Sequence, residues 1–363
     1  MELSKYTRDL LEDIERRIDP EVEDDYLRQW ESFWSGNDQD IIFNPKRKKT
    51  FAPNIEVKAF NINDALTDYE IMLNSELERV SRVLNSGKGA LAIRANYGTG
   101  IIPSLFGANI FVMPREQNTL PTATPLGGTD AIRRIAEGGV PSLEGGFGKN
   151  VFEFGQMCLD VLKDYPKLSK YLYVYHPDTQ GPLDVAELLW GSEIFYAFYD
   201  SPELIHQLMG VVTDTYKAFL DKWFKLYPNR EGLNVHWDFF IKGNICIRND
   251  SAMNLSPDLY EEFAFRYDKH LLDYFGGGIL HFCGRGDHYI DITTTADNLY
   301  GVNLSQPHLN DMDKIYSSVV GRGKKILALT KEACEEYERR EDAVRSMIYC
   351  GRKSSVQNHQ VKI

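Results

Sequence analysis

Apolar residues in the last third of the chain come in short runs separated by amphipathic stretches. The runs are "NICIR" (244–248), "GILHF" (278–282), "GVNLS" (301–305), "KKILAL" (324–329) and "RSMIYC" (345–350). Each is too short for a helix and is flanked by glycine or polar residues, the pattern of a buried strand. The intervening segments, such as "SPDLYEEFAFRYDKHLLDYF" and "LNDMDKIYSSVV", carry apolar residues at helical spacing. The last four runs begin about 21 to 24 residues apart. Strand and helix alternating at that interval predict a parallel sheet with helices outside it.

Upstream the pattern continues less regularly. Residues 5–35 read as helical and charged, followed by a polar loop with basic residues to about residue 55. Residues 62–87 read as a helix ending on Gly87, a residue suited to a left-handed cap. "ALAIRA" (90–95), "ANIFVM" (108–113) and "YLYVYH" (171–176) add three strands, and helices are predicted over 129–137, 148–164, 183–199 and 201–226. With eight strands, the simplest architecture is a (β/α)8 TIM barrel over residues 88–363, preceded by a helical N-terminal extension, 1–87. An open doubly wound sheet is the alternative, because closure is not encoded in spacing. The glycine-rich stretches "NYGTGIIPSLFG" and "EGGVPSLEGGFGKN" read as shaped loops and match neither phosphate-binding glycine pattern.

Composition narrows the function classes. The net charge is −12, and the one dense basic run, residues 46–49, reads as a solvated loop, so nucleic acid is not an expected partner. "MELSKYTRDLLEDIERR" has no apolar leader, and no window approaches a membrane span. Five cysteines are an odd number, which favours free thiols or metal ligands over a disulfide framework. The expectation is a cytoplasmic protein acting on a small-molecule substrate, with its oligomeric state left open.

In a barrel of this kind the chemistry lies at the C-terminal ends of the strands. Polar and metal-competent residues gather there: Tyr97, then His176, Asp178 and Gln180, then Arg248 and Asp250, then His281 and Cys283, then Gln306 and His308, and finally Cys350. His281 and Cys283 are two apart on one strand, so they share a face, roughly 6.5 Å apart along the backbone. That is close enough for an imidazole and a thiolate to share a zinc ion. Cys350 ends "IYCG", which repeats the form of "HFCG", and makes the candidate third ligand. A hydrogen-bonded core histidine beside an ordinary buried thiol is the competing reading of the same pair. Asp178, Asp250 and Arg248 are the candidate catalytic residues; Tyr97, His176, Gln180 and Gln306 are candidates for holding substrate.

"HPDTQGPLDVAELLWGSEIFYAFYDSPELIHQLMGVVTDTY", "NLSPDLYEEFAFRYDKHLL" and "ILHFCG" resemble the uroporphyrinogen decarboxylase superfamily. The resemblance runs diffusely from about residue 90 onward and implies a (β/α)8 barrel. It offers two activities: cofactor-free decarboxylation of porphyrinogens, and zinc-dependent methyl transfer between a corrinoid protein and a thiol. The decarboxylases hold several carboxylates with an arginine-rich loop after the first strand, where this chain reads "IRANYGTGIIPSLFG" with Arg94 alone. The zinc enzymes use His-x-Cys and a later Cys, which fall on His281, Cys283 and Cys350. The resemblance therefore implies a zinc methyltransferase with a corrinoid protein as partner. A decarboxylase of a carboxylated substrate, or a barrel that only binds a ligand or a corrinoid protein, is the alternative.

Overall fold

The computed structural model describes residues 2–351. In chain order its strands are β1 (Ile42–Phe43), β2 (Ala92–Ile93), β3 (Asn109–Phe111), β4 (Thr122–Thr124), β5 (Tyr173–Val174), β6 (Leu233–His236), β7 (Phe239–Lys242), β8 (Ile245–Arg248), β9 (Gly278–Phe282), β10 (Leu299–Leu304), β11 (Lys325–Leu329) and β12 (Ile348–Cys350). Six of them form one parallel sheet in the order β1-β12-β11-β10-β9-β8, and β2 and β5 form a separate parallel pair. The chain is thus a mixed α/β protein whose C-terminal sheet has the strand–helix alternation expected from spacing.

Two expectations are corrected. "ANIFVM" does not join the parallel sheet; β3 pairs antiparallel with β4 as an excursion between β2 and β5. The eighth parallel strand is instead Ile42–Phe43, in the segment expected to be a polar loop, and it lies against Ile348 and Tyr349. Two residues flanked by polar neighbours give no readable alternation, so only their sheet partner identifies them. The ladder also does not close among the described residues. The β6–β7 hairpin intervenes between β5 and β8, and no ladder joins β1 to β2.

Each strand has one face under helices and one face turned away from them. Leu280, Phe282, Val302, Ile326 and Ile348 pack in the larger apolar cluster with the helices. Phe43, Ala92, Tyr175, Cys246, Ile279, Leu327 and Tyr349 face the other way, into a second cluster. That cluster draws on both parallel sheets and is filled by the hairpin (Val235, Phe239, Phe240, Ile241) and by Tyr26, Trp30 and Phe33 of the helix Pro20–Ser35. Burial of this much aromatic surface is what holds the N-terminal helix to the sheet.

The basic run is less solvated than its composition implies. Arg47 is buried, with Nε and Nη2 each 2.7 Å from the Glu23 carboxylate and the guanidinium over the Tyr26 ring. Forked pairing of this kind is available to arginine but not to its lysine neighbours. The helix expected over 183–199 breaks at Gly191, which adopts φ 79°.

Candidate metal centre

The site forms where strand alternation and register coincide. On β9, Ile279 faces the inner cluster, so His281 and then Cys283 follow on the same face. On β8, Cys246 faces inward, and Arg248 and Asp250 follow. Arg248 is the register partner of His281, which sets Asp250 beside Cys283. The result is a cluster in which one donor atom from each of Asp250, His281 and Cys283 lies within 4.8 Å of the others. His281 Nε2 is 3.4 Å from Cys283 Sγ and 3.6 Å from Asp250 Oδ1. Asp250 Oδ1 also accepts the Cys283 backbone N–H at 2.7 Å, tying the two strand ends together.

The histidine is oriented from behind. His281 Nδ1 lies 2.6 Å from Asn303 Oδ1, and Asn303 Nδ2 donates to the Leu327 carbonyl at 2.6 Å. Because the amide nitrogen is committed to Leu327, its oxygen must accept from His281. The Nδ1–H tautomer follows, and the Nε2 lone pair points to Asp250 and Cys283. Burial, with Arg248 nearby, holds the imidazole below its ordinary pKa and so in the neutral, ligating form. Burial, reinforced by the Asp250 charge, pushes the Cys283 thiol up to about 12. Without a cation beside it, that sulfur stays protonated.

A second buried cluster adjoins the first. Asp178, in the loop after β5, pairs with both Arg94 and Arg248, and His236 Nε2 stands 3.7 Å from its carboxylate. Burial alone would raise this carboxyl, but the two guanidinium groups hold it below the usual carboxylate range. Gly181 allows the approach: a Cβ there would lie 2.2 Å from the Arg248 carbonyl. Trp237, at the turn of the hairpin with φ 53°, separates the two clusters. The Arg248 guanidinium lies 4.8 Å from its ring centroid, and the His281 ring stands edge-on to it at 4.9 Å. Below Asp250, buried Asp184 accepts the backbone N–H groups of Asp250 and Ser251 at 3.1 and 2.8 Å. Burial first, and then the Asp250 charge, push Asp184 up to about 8.

The structure thus brings together His281, Cys283, Asp250, Arg248 and Asp178. It does not bring Cys350 to them. Tyr349 faces the inner cluster, so Cys350 faces outward against Cys334 on the helix Lys331–Glu338. The apolar–cysteine–glycine pattern conceals the opposite parity of the two cysteines, and two further strands, β10 and β11, separate β9 from β12. Tyr97 is a second correction. It is fully buried in the helix-side cluster, its ring tilted against Phe147 at 5.0 Å.

His176 and Gln306 have partners within the fold. His176 Nε2 accepts the Cys246 N–H at 3.1 Å, spanning the gap between β5 and β8 where no ladder forms. Gln306 Oε1 accepts the Gly284 N–H and fixes the turn after Cys283. Gln180 is buried at φ 62° in the loop that carries Asp178. Asp184, His236, Trp237 and Asn303 join the site without any motif that marks them, and so does Arg94, the lone arginine after the first strand. In "NVHWDFF" the alternation of apolar residues around a short turn is the local signal of the hairpin.

A cavity of about 210 Å³ lies behind β5, lined by Leu172, Trp223 and Tyr227 among others. None of the residues that line it belongs to the Asp250–His281–Cys283 cluster. No protein-family profile matches the chain, and no curated protein matches it. Among solved structures, a methyltransferase from Methanosarcina mazei is similar in fold, with a TM-score of 0.59, covering 90% of this chain and 92% of that one. The identity is 13%, so the likeness is one of fold.

Proposed function

We propose that this chain is a metal-dependent methyltransferase built on a uroporphyrinogen decarboxylase-like (β/α)8 barrel. In this reading residues 88–363 form the barrel unit and residues 1–87 an extension that lends it β1. The shared inner cluster of the two parallel sheets supports the barrel. The methyltransferase of similar fold supports the reaction class. The observation that carries the reading is the convergence of Asp250, His281 and Cys283 with the His281 lone pair already aimed between them.

The donor set fits a zinc ion: one carboxylate, one neutral imidazole and one thiol, leaving a fourth position for substrate, as catalytic zinc sites require. Asp250, His281 and Cys283 would hold the ion, and a zinc bound by them would supply Lewis acidity that favours the thiolate form of a substrate thiol at neutral pH. Asp250 and Cys283 provide two negative charges, so the loaded site is near electroneutral. Asn303 keeps the His281 ring in its ligating tautomer. Arg248, fixed by Asp178 and Trp237, gives the mouth a positive edge suited to a polar or anionic substrate. The methyl donor in this reading is a corrinoid carried on a partner protein. The exposed side chains of Met253 and Leu309, on the loops following β8 and β10, provide apolar rim for such a partner.

The test is metal analysis of protein purified without nickel affinity, followed by incubation with methylcobalamin and a panel of small thiols. One zinc per chain, and demethylation of methylcobalamin that is lost in Cys283→Ser, is the expected result. Equal zinc content in wild type and Cys283→Ser overturns the assignment.

A further inference from the structure

Cys334 and Cys350 are brought together by the last strand–helix unit, away from the metal centre. Leu329 ends β11 and is the register partner of Cys350. Its carbonyl accepts the Gly351 N–H at 3.0 Å and lies 3.7 Å from Cys334 Sγ. Cys334 sits in the first turns of the helix Lys331–Glu338, which Thr330 caps through the Ala333 N–H. The end of β12 and the start of this helix therefore pack on the same carbonyl, and the two thiols interact side chain to side chain. Cys334 is buried and Cys350 half-buried, so one sulfur is reachable from solvent and the other stands behind it. Cys158 and Cys246 are fully buried, and Cys283 belongs to the site already described.

We propose that Cys334 and Cys350 are an oxidation site that closes to a reversible disulfide, with a low-molecular-weight disulfide such as oxidised glutathione as the oxidant. The Cys350 thiolate attacks one sulfur of the oxidant, forming a mixed disulfide and expelling one glutathione thiolate. The Cys334 thiolate then attacks the Cys350 sulfur and expels the second. The two protons released by the cysteines leave on the two glutathione molecules, and the protein loses two hydrogens. Contact with Cys334 holds the Cys350 thiol below its ordinary range, which suits it to the first attack, and the same contact raises Cys334, which keeps its proton until Cys350 has reacted. Burial of Cys334 keeps external disulfides from reaching it and makes it the resolving thiol. The bond staples the last helix to β12, whose other edge carries β1. Oxidation therefore locks the joint between the N-terminal strand and the last strand–helix unit.

The experiment equilibrates the full chain with glutathione buffers of increasing oxidised fraction, quenches with an alkylating agent and maps peptides by mass spectrometry. The expected result is a cross-linked Cys334–Cys350 peptide, reversed by reduced glutathione, while Cys158 and Cys246 stay alkylatable only after unfolding. In Cys334→Ser, one glutathione should remain attached at Cys350, since nothing resolves it. Absence of the cross-linked peptide from the wild type in fully oxidised buffer overturns the proposal. So does a Cys334→Ser protein that carries no adduct at Cys350.

Discussion

Asn303 accepts a hydrogen bond from His281 Nδ1 at 2.6 Å while donating one to the Leu327 carbonyl, also at 2.6 Å. One side chain on β10 thereby links β9 to β11 and decides which imidazole nitrogen is free. Asn303→Leu removes the acceptor and leaves the ring free to flip or change tautomer. Zinc affinity measured by competition with a chromophoric chelator should fall by about 10–100-fold, with the circular dichroism spectrum unchanged. Affinity within a factor of two of wild type would show that the ring needs no such support.

Cys350 and Cys283 should behave oppositely toward metal. Cys350→Ser should retain zinc at the wild-type stoichiometry, because its side chain lies on the other face of the sheet from His281. Asp250→Ala should lose it, along with Cys283→Ser. Zinc loss from Cys350→Ser without unfolding would restore the cysteine as a ligand and remove Asp250 from that role.

Metal binding must expel the Cys283 proton, because burial and Asp250 place this thiol at about 12 in the metal-free protein. Apparent zinc affinity should therefore rise about tenfold per pH unit between pH 6 and 8, with one proton released per zinc bound. Isothermal titration calorimetry in buffers of different ionisation enthalpy counts that proton. A pH-independent affinity would mean that the thiol is not a ligand.

Asp178 is the carboxylate shared by two buried guanidinium groups, so its loss should be costly. Asp178→Asn leaves Arg94 and Arg248 without a counter-charge and should destabilise the fold by about 3–5 kcal/mol in urea denaturation. Adding Arg94→Met to Asp178→Asn should recover part of that loss. Destabilisation below about 1 kcal/mol would mean that water compensates the arginines.

Three buried histidines predict an acid-sensitive fold. Burial lowers His176 to about 4, and burial also lowers His236 and His281. Above about pH 7.5 these groups are largely neutral in both folded and unfolded chains. As pH falls from about 6.5 toward 4, the unfolded chain takes up protons that the folded chain refuses, and stability is lost. In metal-free protein, His176→Gln should flatten the stability–pH slope in this window by up to about 1.4 kcal/mol per pH unit. An unchanged slope would place the acid sensitivity elsewhere.

The sequence by itself determined the strand–helix alternation of the last third, since apolar runs of fixed spacing have few other ways to be buried. It also put His281 and Cys283 on one face of one strand, because a period of two is a local property. What only the tertiary structure decided was the partner of that pair. Asp250 arrives through the register of β8 against β9, and register is a relation between strands that no single segment encodes. Cys350 was set aside by parity: the inward Tyr349 turns its neighbour to the helices, while the surrounding letters look the same as those around Cys283. The β1 strand and the β6–β7 hairpin are too short, or too mixed in pattern, to be seen before their packing partners are known. The Arg94–Asp178–Arg248 cluster joins residues from three distant segments, and its pairing follows from shared burial rather than from any spacing along the chain.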